Sequence, residues 1–135
     1  YYGYWMRLNN DSGNNYGRGY IVLQSDDDVW GGHFTNINRW YVGHNGTSAG
    51  DCYIGDVSET FFIVEAKTGK ERRCVGFTAF GRTGGSRGAV VDRCSIFGQT
   101  WANSLNNITS IKILAEETNG IKAGSHISIY KIPKY

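Results

Sequence analysis

Residues 60–80 have the sequence TFFIVEAKTGKERRCVGFTAF, and this stretch decides the fold. Two runs rich in β-branched and aromatic residues, 60–66 and 72–80, flank the turn KTGKE. Gly69 stands in this turn where a short hairpin connection favours a glycine. The pattern therefore predicts two neighbouring antiparallel strands.

The same strand signal recurs on both sides of the hairpin, while no glycine-free window of a dozen residues shows helical spacing of apolar positions. Parallel strands need long, usually helical crossovers, so strands joined only by turns should pair antiparallel. The sequence predicts an all-β, antiparallel β-sandwich of the jelly-roll type, with about 8–10 short strands in a single domain over residues 1–135. Besides the hairpin, the predicted strands cover 4–8, 19–24, 39–44, 88–98, 107–116 and 125–132.

The last of these strands, SHISIYKI at 125–132, has a regular alternation. Ile127 and Ile129 alternate with polar neighbours, a pattern typical of a strand with one buried face. Gly124 and Ser125 are suited to the turn before it. We expect an integral core strand, paired across the sandwich with an early strand.

The composition narrows the class of partner. The chain has 14 basic and 12 acidic residues, a net charge of +2, which does not indicate a nucleic-acid partner. No stretch approaches the roughly 20 apolar residues of a membrane span, so no membrane insertion is expected. The basic residues near the hairpin turn are expected to be a solvated strand entrance; they are Lys67, Lys70, Arg72 and Arg73.

The three cysteines, Cys52, Cys74 and Cys94, are odd in number and lack C-x-x-C spacing. This pattern favours three buried free thiols in a reducing cytosol. The alternative is one disulfide together with one free thiol. No signal peptide is visible, and the first residue is Tyr1. These features fit a processed chain or part of a longer one.

The sequence contains none of the common catalytic or metal-binding motifs. The acidic run 26–28 lacks the spacing of a calcium loop, and the histidines are scattered, so no metal site and no cofactor are predicted. No nucleophile or phosphate-binding motif is present, and we expect a protein that is not an enzyme. A glycan hydrolase, the least favoured alternative, would need two facing carboxylates. Its candidate acids are Asp51, Asp56, Glu59, Glu65 and Asp92.

The aromatic residues are the most suggestive chemical feature. Flat rings can stack on sugar rings, and nearby polar loops can bind hydroxyl groups. We predict Trp30, Trp40, Tyr41 and Asp27 as residues that contact a sugar, although such aromatics more often fill a core or a subunit interface. A stand-alone carbohydrate-binding module or lectin is therefore an alternative function.

Two stretches carry a family resemblance. YWMRLNNDSGNNYG at 4–17 joins an aromatic strand to an Asn-Asp-Ser-Gly turn, and GQTWANSLNNITSIKILAEETNGIKAGSHISIYKI at 98–132 ends in Gly-Ser and an alternating strand. Together they resemble the jelly-roll domains of tailed-bacteriophage virion proteins: tail-fibre tips, receptor-binding domains and capsid appendages. The positions that match are Trp101, Ile108, Thr109, Ile111, Gly124, Ser125, Ile127, Ile129 and Tyr130.

The resemblance implies a non-enzymatic structural protein on the virion surface, assembled in the host cytoplasm. Its implied partners are other virion proteins, further copies of itself in a trimer, and a glycan of the host surface. The matching positions are structural in that family, so no catalytic residue is implied. The chain departs from the family at its end, YKIPKY, where such strands often close on a glycine; this ending could reach a neighbouring subunit.

Overall fold

The computed structural model describes residues 3–24, 28–44, 57–82, 90–116, 120, 121 and 123–133. Within these ranges the chain forms eight β-strands and no helix, which confirms the predicted all-β class. The strands are β1 (Gly3–Leu8), β2 (Tyr16–Gln24), β3 (Val29–Ile37), β4 (Trp40–His44), β5 (Val57–Glu65), β6 (Arg72–Arg82), β7 (Val90–Trp101) and β8 (Ile111–Ala115).

The strands form two antiparallel sheets. One has the order β4-β1-β8, and the other has the order β3-β2-β7-β6-β5. Strand β4 of the smaller sheet packs over β5 and β6 of the larger one. The arrangement is consistent with a β-sandwich.

The predicted hairpin is confirmed. β5 pairs with β6 from Val57 opposite Gly81 to Glu65 opposite Arg73. Gly69 in the connecting turn has a φ of 84°, a left-handed conformation that costs glycine little. Its N–H donates to the carbonyl of Ser104 over 2.8 Å, so the turn is held against the segment that follows β7.

Between the two sheets lies a core of large aromatic and aliphatic side chains. On β1, β2, β6 and β7 alternation brings them inward, since successive side chains of a strand point to opposite faces. On β4 three consecutive residues are buried, beside the register shift in its pairing with β1. Burying one such side chain stabilises the fold by about 1.5–3 kcal/mol. The core consists of Met6, Leu8, Tyr16, Trp40, Tyr41, Val42, Cys74, Phe97 and Trp101.

A tight turn after β1 links the two stretches that carry the family resemblance. Asn9 and Asn10 both have positive φ, 51° and 54°, and the N–H of Asp11 donates to the carbonyl of Leu8 over 2.9 Å. Asp11 Oδ2 accepts a hydrogen bond of 2.8 Å from Trp101 Nε1. Burial raises the pKa of Asp11, but hydrogen bonds from Trp101, Asn15 and the backbone N–H of Gly13 together hold it below its ordinary value.

Two features depart from the sequence predictions near the hairpin and β2. Strand β3 was not predicted, because its sequence VWGGHFTNI contains two glycines and no regular alternation. Arg72 was predicted to be solvated, yet its side chain is fully buried. Its guanidinium donates to the carbonyls of Lys67, Lys70 and Asn106, which explains how a cation can lie inside.

The prediction of a core strand at 125–132 is wrong for this structure. These residues have no regular secondary structure, and Ile127 and Ile129 are 63% and 72% exposed. In the described part of the chain, the four outer strands of the two sheets are β4, β8, β3 and β5. Alternation shows which face of a strand would be buried, but it does not show that a partner strand exists in the same chain.

Candidate functional site

An aromatic cleft lies on the inner side of β2 and β3, beside β1 and β4. It consists of two adjoining cavities, of about 390 Å³ and about 210 Å³, that share Trp5, Arg18 and Phe34. We use the name aromatic cleft for this site, whose main lining residues are Trp5, Arg18, Tyr20, Trp30, Phe34 and Tyr41.

Strand geometry explains why these side chains meet. Tyr16, Arg18, Tyr20 and Val22 alternate along β2 and point inward. An irregular register near Arg18 places Phe34 of β3 opposite it. Gly32 lies opposite Tyr20, and a Cβ there would come within 3.2 Å of the Tyr20 hydroxyl oxygen. The absence of a side chain at Gly32 thus leaves room for the Tyr20 ring in the cleft.

The rings of the cleft pack closely. Tyr20 stacks on Phe34, with ring centroids 6.0 Å apart and an interplanar angle of 2°. Tyr20 also meets Trp30 edge to face at 5.6 Å, and Trp5 meets Tyr41 in the same way at 5.6 Å. These distances lie within the range of favourable aromatic pairs, so the rings form a preorganised wall.

Arg18 brings a positive charge into this aromatic wall. Its guanidinium carbon lies 4.5 Å from the ring centroid of Tyr20, 4.8 Å from that of Phe34 and 5.0 Å from that of Tyr41. These contacts are within cation–π range. Burial lowers the pKa of Arg18, and the neighbouring tyrosines oppose this effect. The side chain remains charged at neutral pH because the ordinary arginine value lies far above it.

A second cation stands at the rim. The guanidinium carbon of Arg39 lies 4.2 Å from the ring centroid of Trp5, and Arg39 Nη2 lies 3.5 Å from Glu116 Oε1. Within the cleft, Arg18 Nε and Trp5 Nε1 are buried and have no hydrogen-bond partner among the described residues.

The structure separates the four predicted sugar contacts. Trp30 and Tyr41 line the cleft. Trp40 lies in the core with 0% exposure, where its Nε1 donates to the carbonyl of Thr100 over 2.8 Å, so we leave it out of the site. Asp27 lies outside the described residues.

Sequence reasoning missed Arg18, Tyr20 and Phe34 as site residues. The strand containing Arg18 was predicted to start at residue 19, whereas β2 starts at Tyr16. Phe34 lies in β3, which was not predicted. The alternation of Tyr16, Arg18 and Tyr20 is the signal that could have identified this face.

A separate apolar surface covers the opposite side of the five-stranded sheet. We call it the outer face. The registers of β2, β7, β6 and β5 place its central side chains in one row across the sheet. Its members are between 44% and 65% exposed and comprise Ile21, Leu23, Val29, Phe61, Ile63, Val75, Phe77, Val91 and Ile96.

The extent of the outer face exceeds that of an ordinary apolar patch. With roughly 200 Å² for each whole side chain, these exposed fractions amount to on the order of 1,000 Å². The largest apolar patch of a typical monomer covers about 300–600 Å². Gly19 and Gly98 lie opposite each other beside this row, and a Cβ at Gly98 would meet nothing within 4 Å.

The three candidate acids for hydrolysis that the structure describes, Glu59, Glu65 and Asp92, do not line the aromatic cleft. Glu59 and Glu65 lie on the exposed side of β5, whereas Asp92 is buried with its Oδ2 3.6 Å from Arg93 Nε. Asp51 and Asp56 lie outside the described residues. No cluster of three or more His, Cys, Asp or Glu side chains that could hold a metal ion occurs among the residues described.

Cys74 and Cys94 are free thiols, the first buried and the second half-buried on the outer face, while Cys52 lies outside the described ranges. Burial raises the pKa of Cys74 to about 12, against a hydrogen bond to Gln99 that lowers it.

In the described ranges, no helix is long and apolar enough to cross a membrane. No family model, curated protein or solved structure matches the chain.

Proposed function

We propose that the protein is a non-enzymatic structural protein on the surface of a tailed-phage virion, built on a jelly roll. It would serve as a tail-fibre, receptor-binding or capsid-decoration appendage. Its partners would be further copies of itself, with a trimer as the expected state, and neighbouring virion proteins. The resemblance of residues 4–17 and 98–132 supports the setting, and the outer face is the observation that supports assembly.

The outer face has the area and composition of an interface. A standard protein interface buries about 800 Å² on each partner, and the exposed apolar area here is on the order of 1,000 Å². Hydration of so much apolar surface is unfavourable, and association of copies would remove it from water. Gly19 and Gly98 leave a flat strip across the middle of the sheet, which allows close approach of a second surface.

The first experiment measures the mass of the purified protein in solution by light scattering, with Gly98→Lys as the test variant. This variant places a charge on the outer face without a clash inside its own chain, so it should become monomeric while its far-ultraviolet circular dichroism stays that of the wild type. Leu105→Lys is the control, because Leu105 is 84% exposed in a loop outside the outer face. A wild-type monomer, or a Gly98→Lys variant of unchanged mass, would contradict association through this face.

The virion setting needs its own test. An antibody against the purified protein should label the surface of phage particles from cells that carry its gene, as seen by negative-stain electron microscopy. Labelling that is absent from intact and disrupted particles alike would remove the virion setting and leave the association result unaffected.

Carbohydrate binding is a second candidate function, and the aromatic cleft supports it. Its rings can stack on a sugar ring, and the Arg18 and Arg39 guanidinium groups can pair with a carboxylate. We infer that an acidic sugar suits this cleft better than a neutral one. In calorimetry, fragments of polygalacturonate should bind more tightly than neutral cello-oligosaccharides of equal length.

Two variants test whether the aromatic cleft is the site of this carbohydrate binding. Arg18→Gln should weaken binding of the acidic fragments about 10-fold or more, the loss expected for one charge-assisted hydrogen bond. Arg73→Gln is the control, since Arg73 is exposed on β6 outside the cleft. Equal affinity for acidic and neutral sugars, or equal losses in both variants, would argue against this role.

A further inference from the structure

The segment 125–132 exposes apolar side chains that its own chain leaves uncovered in the described structure. Ile127, Ile129 and Ile132 are between 63% and 72% exposed, and Tyr130 is 84% exposed. His126 Nε2 and Ser128 Oγ lie 2.8 Å apart, so these two side chains share one side of the segment. Side chains two residues apart share a side in β-conformation. The segment thus has the pattern of a strand without a partner.

The larger sheet has an outer strand with a matching surface. Strand β5 is the last strand of that sheet in the described part of the chain, so its second edge has backbone groups to offer a further strand. Along its exposed side β5 presents Glu59, Phe61, Ile63 and Glu65 in succession. Acidic residues therefore flank two large apolar ones.

We propose that residues 125–132 of one copy add as an antiparallel strand to the outer edge of β5 in a second copy. In this register Ile127 lies opposite Ile63, Ile129 opposite Phe61 and Lys131 opposite Glu59. The two isoleucines extend the outer face by one strand, and the lysine meets a carboxylate. This inference rests on the proposed self-association and names a second pair of surfaces for it.

Charge distribution selects this register. Glu65 already lies opposite Arg73 of β6, whereas Glu59 lies opposite Ala79 and takes part in no ion pair among the described residues. A parallel strand would place Lys131 beside Glu65 and leave Glu59 without a cation. Parallel pairing is also slightly less stable per residue, and all described strand pairs in this protein are antiparallel.

The fold favours a second copy as the owner of that edge. Among the described residues β5 pairs with β6 alone, and residues 125–132 form no strand pair with their own chain. The exposed segment therefore does not occupy its own β5 edge, and the edge of β5 in a neighbour has the same surface to offer it.

Cysteine pairs between differently tagged chains test the contact. One chain carries Ile129→Cys, the other carries Phe61→Cys, and both carry Cys94→Ser and Cys52→Ser. The facing residues of an antiparallel pair have Cα atoms about 4.5–5.5 Å apart, within the range of a disulfide. After mild oxidation we expect a disulfide that joins the two tags. Thr60→Cys, on the opposite side of β5, replaces Phe61→Cys as the control and should give little product.

A charge exchange tests the register. Lys131→Glu should weaken self-association by about 3–10-fold, and Glu59→Lys in the same chain should restore it, as expected for one cross-strand charge pair. Glu65→Lys is the matched control and should restore nothing. Restoration by Glu65→Lys instead would overturn the antiparallel register.

The outcomes separate this inference from the proposed function. An oligomer that forms no disulfide between tags overturns the strand addition and leaves association through the outer face intact. A third sample is a single chain that carries both Ile129→Cys and Phe61→Cys. A disulfide that forms within this chain, and none between the two tags, also overturns the strand addition, because the segment then pairs with its own β5. A disulfide between tags that persists in Gly98→Lys supports the strand addition by itself.

Discussion

Replacement of the buried Arg72 gives the sharpest prediction for stability. The Arg72 side chain has 0% exposure, and its Nη1 donates to the carbonyls of Lys67 and Lys70, the latter over 2.6 Å. Its Nη2 donates to the carbonyl of Asn106 over 2.8 Å. One cation therefore ties the turn between β5 and β6 to the segment that follows β7.

Arg72→Met keeps most of the buried volume and removes all three hydrogen bonds. A hydrogen bond to a charged group contributes about 1.5–3 kcal/mol, so three would contribute roughly 4.5–9 kcal/mol. The residues that supply the carbonyls are exposed, so water can reach these groups in the variant, and the guanidinium no longer has to be desolvated. We expect a net loss of about 3–5 kcal/mol, or a melting temperature roughly 10–15 °C lower.

Urea unfolding followed by tryptophan fluorescence measures this loss. Arg72→Lys should fall between the wild type and Arg72→Met, because an ammonium group cannot reproduce the forked geometry of the guanidinium. Arg73→Met, at the exposed neighbour, is the control and should change the free energy of unfolding by about 0.5 kcal/mol or less. An Arg72→Met variant within about 1 kcal/mol of the wild type would refute the reasoning from these hydrogen bonds.

Three further predictions concern pH, thiol chemistry and the end of the chain. Because the pKa of Asp11 is lowered by folding, its stabilisation should be present at neutral pH and be lost as the pH falls below about 4; the difference in unfolding free energy between wild type and Asp11→Asn should shrink over that range. Iodoacetamide should alkylate Cys94 to a greater extent in the dilute monomer than in the associated protein, and should alkylate Cys74 only after unfolding; peptide mapping measures both extents. Deletion of 125–135 should keep the far-ultraviolet circular dichroism and the melting temperature within a few degrees, yet weaken self-association; an unfolded product would show that this segment belongs to the core of its own chain.

The fold class could be predicted from the sequence because turn residues and runs of strand-forming residues, which are local features, determine it. The hairpin around Gly69 follows from the turn and the two flanking runs, and both were found as predicted. β3 was missed because Gly31 and Gly32 carry no side chain, and its place in the sheet comes from pairing with β2. The segment at 125–132 shows the opposite error, since its alternation is regular although the described chain offers it no pairing.

The site was only partly predictable for a related reason. Trp30 and Trp40 are both aromatic residues near polar ones, yet one lines the cleft and the other is fully buried. Both residues point to the inner side of their sheets; Trp30 lies on β3, the outer strand of the larger sheet, whereas Trp40 lies on β4, which packs over that sheet. How far the second sheet covers the first cannot be predicted from either local sequence. Arg18 belongs to the site through its contacts with rings from other strands, which no local pattern reveals.

The pairing of distant strands also has a consequence for the order of folding. β1 pairs with β8 and β2 pairs with β7, while β5, β6 and β7 pair in sequence order. Local contacts form fastest, so the consecutive strands β2 and β3, and later β5, β6 and β7, can pair early as the chain leaves the ribosome. The N-terminal strands are made first but complete their sheets only after residues near 101 and 115 have been synthesised. Until then Met6 and Tyr16, which end in the core, lack the partner strands β8 and β7, so these apolar side chains stay open to contact with other chains.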